Sequence, residues 1–330
     1  MNLKFGKIGL GTHPFSNVFG RINETEVKKI VYKYLDLGGK YIHTAPYYKG
    51  VDPILKKVLK EVPRNSYYLG TLCLKDRQGL KSGKYDAIIE QCEDSLMELG
   101  VDHLDLLMPS SARGSDAPYA ETMGALVDLK KQGKIRSIGV CNVNLEQLKE
   151  FNKNGDVSFV QNRFSFIDRS FSQEFIDYCE ANQIFFIPYN VIEWGLLTNK
   201  ILKGINLKND DFRKKLSIMF NEEPLSVLTD WALNYLKPIA NKYQTSIEAM
   251  AICWVMNQKQ VSTPVIGATK TEQLVSSMQA LNLEHPSEII NQLERVYSIL
   301  VETVQRQKGL QLNQFIRNSY ELWGTGATKH

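Results

Sequence analysis

Groups able to move protons crowd one short stretch of the chain. An apolar run, Tyr41-Ile42-His43, ends on an imidazole, and Thr44-Ala45-Pro46 leads from it to the neighbouring phenols Tyr47 and Tyr48. Imidazole and phenol can each give and take a proton. His13 follows another apolar run, residues 7–11, just after Gly11 and Thr12, and Ser110 and Ser111 follow a third, residues 104–108, beyond Pro109. Three further runs end on Cys141-Asn142, Gln161 and Tyr189. Amides that donate and accept beside an aromatic face suit a planar heteroaromatic carboxamide such as nicotinamide. Gly267-Ala268-Thr269-Lys270 opens a helical stretch, with Thr269 and Glu272 spaced as a capping box. Free N–H groups at a helix start attract anions, and Lys270 adds a full charge. Taken singly, each of these groups serves equally well as a strand-end hydrogen bond, a capped helix or a solvated lysine. Function follows only if the fold brings them together.

The periodicity says that it does. Eight short apolar runs without polar alternation fall at residues 7–11, 41–43, 67–71, 104–108, 137–141, 159–161, 185–189 and 263–266. Such runs are strands of a parallel sheet buried on both faces. Helical sequence separates them: residues 24–37, 52–60, 85–98, 121–132, 145–152, 172–182, 225–243, 247–257, 272–281 and 288–304, with a polar insertion at 199–223. Asn23 with Glu26 resembles a capping box for the first helix. Eight strand–helix units close most naturally as a single α/β domain, a (β/α)8 TIM barrel over residues 1–330, whose residues just after each strand share one face. A doubly wound open sheet is the alternative. It needs a phosphate fingerprint, and Gly9-x-Gly11 lacks the third glycine and runs into Pro14-Phe15.

Composition narrows the classes. The chain of 330 residues carries 40 basic and 36 acidic residues, a net charge of +4 that is too small for a nucleic-acid or anionic-membrane partner. No run of ~18 apolar residues occurs, and the N-terminus has no apolar signal core. The five cysteines are scattered without CxxC pairing, so reduced, buried thiols and a cytoplasmic location are expected. The five histidines show no HxH or HExxH spacing, so no metal is expected, and neither a P-loop nor a GxSxG elbow is present. The expected partner is a small polar molecule.

Read together, these stretches resemble the aldo-keto reductases over nearly the whole chain. Gly9-Leu10-Gly11-Thr12 is similar to the family's GLGT, and Ile42-His43-Thr44-Ala45-x-x-Tyr48 resembles its (F/I)DTAxxY element. Residues 95–106 resemble SLxxLGxDYxDL, and residues 134–142 are close to KIRxIGVSN. Pro188-Tyr189 through Gly195-Leu196-Leu197 resembles PYSPLxxGLL, and residues 265–270 resemble the family's phosphate loop. The resemblance implies NADP(H) as cofactor. Asn142 and Gln161 would hold its carboxamide, with Tyr189 stacked on the nicotinamide. Gly11, Thr12, Cys141 (in place of a serine), Gly195 and Leu197 would line its path, and Gly267, Thr269, Lys270 and Gln273 would hold the adenosine phosphate end. Ser276 and Ser277 stand where the family has Glu-Asn against adenine. Of the family's catalytic Asp, Tyr, Lys and His, only the tyrosine is kept, as Tyr48. His43 replaces the aspartate, Leu72 the lysine and Ser110 the histidine.

Without the lysine, the cation that would lower the phenol's pKa is lost, and so is the general-acid help that depends on it, worth ~10²–10⁴ in rate. Ser110 can still donate one hydrogen bond, His13 or His43 can relay a proton, and Lys75 could bring an ammonium from the following loop. Three functions therefore stand open. The first is an NADPH-linked oxidoreductase with altered acid–base chemistry, acting on a polar carbonyl or hydroxyl substrate such as a sugar derivative. The second is a lyase or isomerase using Tyr48, His43 and His13. The third is a cofactor-binding protein with little catalysis.

Overall fold

The computed structural model describes residues 4–110, 115–169, 171–208 and 211–317. Ser111 and the end of the C-terminal tail lie outside them. Eight strands form: β1 Gly9–Gly11, β2 Tyr41–His43, β3 Tyr68–Cys73, β4 Leu104–Pro109, β5 Ile135–Cys141, β6 Val157–Arg163, β7 Phe185–Tyr189 and β8 Val265–Ile266. All pairings are parallel, in the order β7-β6-β5-β4-β3-β2-β1-β8. The ends of this sheet meet just before β8. Phe186 donates its N–H to the Gln260 carbonyl at 2.9 Å, and its carbonyl accepts from the Ser262 N–H at 2.8 Å. The sheet is thereby a nearly closed (β/α)8 barrel.

Strand alternation sets what faces the barrel axis. Tyr41, Leu72, Leu106, Met108, Cys141, Phe159, Ile187 and Val265 form the inner core. Ile42, Leu69, Leu107, Val160 and Phe186 belong to the outer core beneath the helices. Phe5 closes the lower end, with its ring 4.4 Å from that of Tyr41 and 4.7 Å from that of Phe159. Room for Tyr41 comes from Gly70, where a Cβ would lie 2.3 Å from the tyrosine oxygen. Every second residue upward from this core arrives at the mouth pointing inward, which puts His43 above Tyr41 and Gln161 above Phe159.

Several boundaries differ from expectation. β3 runs to Cys73 rather than residue 71, so Leu72 is a strand residue, and β4 continues through Pro109. The expected helix over 225–243 is three pieces: Glu222–Trp231, a wider π-helical turn Ala232–Leu236, and Lys237–Lys242. Pro238 explains the break, since it has no N–H to return to the preceding turn and its ring crowds that turn's carbonyl. The first helix, Glu24–Asp36, forms only half of its capping box. Asn23 accepts from the Glu26 N–H at 2.8 Å, while the Glu26 carboxylate reaches across to Thr271. Beyond the last barrel helix, Pro286–Lys308 ends at Gly309 in the left-handed region, and a short helix, Leu312–Arg317, follows where irregular chain was expected.

Candidate active site

The mouth holds a cavity of about 530 Å³, a volume typical of a small-ligand site. Its walls come from the ends of β1, β2, β3, β5, β6, β7 and β8. Of the residues expected there, Gly11, His13, His43, Tyr48, Cys141, Asn142, Gln161, Tyr189, Gly195, Gly267, Thr269 and Gln273 line it together. Thr12, Ser110 and Leu197 are buried outside its lining, and Lys270 is exposed at the rim.

On the β5–β7 side the polar groups brace one another. The Tyr189 hydroxyl donates to Asn142 Oδ1 at 2.7 Å, and Asn142 takes a left-handed backbone (φ 57°) as it leaves β5. Gln161 Nε2 lies 3.0 Å from His43 Nε2, and Gln161 Oε1 is buried without a hydrogen-bond partner. A buried, unsatisfied carbonyl costs ~1–3 kcal/mol, so a ligand donor placed here would be favoured by that amount. A carboxamide N–H facing Gln161 would satisfy it, and the residues present therefore fit a nicotinamide ring beside Tyr189.

The segment after β7 was not foreseen as a structured element. Glu193 is fully buried and accepts from Arg163 Nη2 (2.6 Å), Ser165 Oγ and Asn190 Nδ2 (2.9 Å), and Asn190 Oδ1 accepts from the Trp194 N–H (2.9 Å). Asp168 sits 3.2 Å from Arg163 Nε. Burial pushes the Glu193 carboxyl up, and the Arg163 guanidinium opposes that shift. Asn190, Glu193, Trp194 and Gly195 all have positive φ, so this ion cluster holds a strained strap whose Trp194 indole faces the cavity beside His13 and Phe19.

At the start of helix Thr271–Met278 the expected capping is corrected. Lys270 occupies the cap position, without a side-chain cap bond. Gln273 Oε1 instead accepts from the Thr269 N–H at 2.9 Å and from the Thr269 hydroxyl, while Glu26 accepts from the N–H and hydroxyl of Thr271. Glu26 lies far away in sequence but adjacent in the barrel, so no local spacing could have revealed it. A second unforeseen residue is Glu248, which accepts from the Ser276 hydroxyl at 2.7 Å and lines this end with Lys200 and Arg213. Glu248, on helix Ile247–Met256, thus sets a carboxylate beside Ser276, where the resemblance has a glutamate.

On the β1–β3 side the central groups are neutral. Burial lowers His43 to about 3, with His13 adding to the effect, and lowers His13 to about 4. The same desolvation raises both tyrosines and pushes Cys141 up to about 12. Tyr48 packs against the His13 ring at 4.7 Å, and its hydroxyl is tied to no other group among the described residues. Ser110 lies beside Tyr47 and Cys141, where its hydroxyl opposes the upward shift that burial gives both groups. Leu72 fills the family's lysine position with hydrocarbon. The loop carrying both tyrosines is pinned by Asp52, which accepts from Thr44 Oγ1 at 2.9 Å and pairs with Arg77 at 3.0 Å.

All five cysteines are buried and unpaired. Among the described residues no cluster of histidine, cysteine, aspartate or glutamate could hold a metal, and no helix is long and apolar enough to cross a membrane.

The eight-stranded parallel barrel carries its cavity at the carboxyl-end mouth, where barrel enzymes place their sites, and the sequence shows which family it belongs to. Residues 7–298 fit the model of the aldo/keto reductase family, and the chain belongs to that family of oxidoreductases. An NADH-specific methylglyoxal reductase of Escherichia coli is 30% identical over 263 residues, 74% of this chain and 79% of that protein. An L-galactose dehydrogenase of Arabidopsis thaliana is 25% identical, covering 85% of this chain and 89% of that one. The solved glycerol dehydrogenase of Gluconobacter oxydans superposes with a TM-score of 0.80 over 94% of each chain, at 22% identity, which speaks to fold alone.

Proposed function

We propose that the protein uses NADP(H) to interconvert a polar carbonyl compound and its alcohol, with a sugar derivative as the expected kind of substrate. The observation that carries this reading is the unpartnered Gln161 Oε1 beside the bonded Asn142–Tyr189 pair in the mouth cavity. Gln161 and Asn142 would hold the carboxamide and Tyr189 the ring face. The strap from Asn190 to Gly195 and the start of helix Thr271–Met278 would flank the phosphates. Lys200 on the wall, with Lys270 at the rim, favours the 2′-phosphorylated form, while Arg213 beside them is paired with Asp211. When bound, the cofactor supplies or removes hydride.

This chain's own part is proton transfer and orientation. Tyr48 is the proposed acid: a neutral phenol whose hydroxyl is free to donate to a substrate oxygen. His13, whose tilted ring packs against it at 4.7 Å, is neutral above about pH 4 and can relay a proton from solvent to the phenolate by accepting on one ring nitrogen as it gives from the other. His43 fixes the Gln161 amide, and Ser110 is buried beside Tyr47 outside the cavity lining, away from a direct contact with the substrate. With no ammonium beside Tyr48, the step is slower than in a barrel with the full set.

The test is fluorescence titration of the purified protein with NADPH and NADH, followed by turnover on a carbonyl panel. NADPH should bind more tightly, and Gln161→Leu should weaken either form ~10-fold, as expected for one lost buried hydrogen bond. Absence of binding by both cofactors would sink the reading. Tighter binding of NADH would correct its 2′-phosphate part, and the name of the E. coli relative makes that comparison necessary.

A further inference from the structure

One cationic side chain at the mouth has no place in the scheme above. Lys75 lines the cavity directly after β3, and its ammonium lies 4.8 Å from the centre of the Tyr47 ring. Among the described residues that line the cavity from β1 to β5, it is the sole formal charge at neutral pH, since the neighbouring groups are His13, His43, Tyr47, Tyr48, Leu72, Cys141 and Asn142. The cavity's other charged groups stand elsewhere. Arg163 is locked to Glu193 and Asp168, and Lys200, Arg213 and Glu248 surround the adenosine end. Lys75 itself forms no ion pair among the described residues.

The backbone beneath this ammonium is built to hold it. Residues 74–82 fold back on themselves in a tight hairpin. Lys75 bridges Lys81, the Asp76 N–H donates to the Leu80 carbonyl at 2.9 Å, and Ser82 donates to Leu74 at 3.1 Å. The Asp76 carboxylate accepts from the Leu80 N–H at 2.8 Å, and Gly79 supplies the positive φ that such a turn requires. Arg77, in the same hairpin, is tied to Asp52 and so to the loop that carries Tyr47. Ammonium and ring are therefore fixed to two loops that are themselves joined. A lone positive charge on the wall of a partly apolar cavity, facing neutral groups, raises the local concentration of anions.

Resting on the oxidoreductase reading, we propose that the substrate is a small carbonyl compound, or the matching alcohol, that bears a carboxylate or phosphate, and that Lys75 holds this anion while Tyr48 faces the reacting oxygen. In the reducing direction, a bound nicotinamide cofactor would supply the hydride for the new C–H bond as the carbonyl π bond opens, and would itself be oxidised by two electrons. Tyr48 would give the proton that completes the hydroxyl, and its phenolate would regain one from solvent through His13. Lys75 takes no part in this balance. It is a specificity-determining residue, and it acts as a compact point charge rather than a planar fork.

The test separates binding from turnover. Oxamate and inorganic phosphate are titrated calorimetrically into the wild-type protein, Lys75→Gln and Lys75→Arg, each with and without NADPH. Wild type should bind at least one of them, Lys75→Gln should bind it ~10-fold or more weakly, and Lys75→Arg should recover most of the loss. Oxamate binding marks a carboxylate site, and phosphate binding marks a phosphate site. In turnover, Lys75→Gln should lower the preference for glyoxylate or glyceraldehyde 3-phosphate over glyceraldehyde, through KM rather than kcat. If wild type and Lys75→Gln bind both probes equally, or neither probe binds, the anion site is overturned even if neutral carbonyls are reduced. If Lys75-dependent anion binding is found but no carbonyl is turned over with either nicotinamide cofactor, the anion site stands and the oxidoreductase reading fails.

Discussion

The two sides of the barrel mouth place polar groups by opposite means. Between β5 and β8 charged and polar side chains satisfy each other in chains: Tyr189 to Asn142, Arg163 to Glu193 and Asp168, Gln273 to Thr269, and Ser276 to Glu248. At the cavity wall, the Gln161 Oε1 carbonyl is left without a hydrogen-bond donor and so is open to one from a ligand. Between β1 and β4 the central positions hold neutral groups, and Leu72 takes the place where the family has its lysine. A cofactor cradle tolerates satisfied charges because its work is shape and hydrogen bonding. A proton-transfer centre needs a charge that is not fully satisfied, and here the family's aspartate and lysine have both gone. Removing both is self-consistent, since either charge left alone inside the barrel would cost several kcal/mol.

The largest expected effect comes from reversing that loss. Leu72→Lys alone places an unpaired ammonium inside the inner core and should destabilise the fold by ~3–5 kcal/mol, read as a fall in the urea midpoint. His43→Asp, Leu72→Lys and Ser110→His together should regain most of that stability and raise single-turnover reduction of a good carbonyl by ~10²–10⁴. If the triple variant gains no rate while still binding NADPH, the contrast between the two sides does not lie in the missing pair.

On the cradle side, Glu193→Ala should cost ~3–5 kcal/mol, because it leaves Arg163 buried with Asp168 as its remaining carboxylate partner. It should also weaken NADPH binding by releasing the strap, whereas Glu193→Gln, which keeps acceptor capacity, should lose less of both. Equal melting temperatures for the two variants would show that the strap is held by packing instead of charge.

These two sides also differ in how far the sequence disclosed them. His43, Leu72, Ser110, Cys141 and Gln161 could be placed because strands point inward at every second residue, so a motif match fixes both number and direction. The Glu193 cluster could not be placed. Its partners come from two strand ends, and its left-handed glutamate and tryptophan follow no residue preference. Glu26 at Thr271 and Glu248 at Ser276 are equally hidden, since helices packed side by side leave no trace in local spacing. Lys75 was visible in sequence only as a possible stand-in for the lysine at position 72. The hairpin and the Tyr47 ring direct it to a different task.

The smallest effect concerns His43, and it separates a proton-transfer partner from a residue that fills space. In the folded protein its pKa is lowered to about 3 from an ordinary 6.5, chiefly by burial. As pH falls below ~6.5 the unfolded chain takes up a proton that folded His43 refuses, so stability declines by up to ~1.4 kcal/mol per pH unit until the folded imidazole also titrates near pH 3. His13 contributes in the same direction between 6.5 and about 4, while the raised carboxyls of Asp52 and Glu193 work the other way. Comparing wild type with His43→Gln cancels those shared contributions. Urea unfolding at pH 7, 6 and 5 should show the variant losing less stability on acidification, with the gap widening by ~1 kcal/mol per unit below pH 6. Glutamine can still bond Gln161, so a merely space-filling role predicts an unchanged kcat above pH 6. A kcat that drops at all pH values, with NADPH affinity retained, would make His43 a working part of the proton path and leave the β1–β4 side less stripped of chemistry than its missing charges imply.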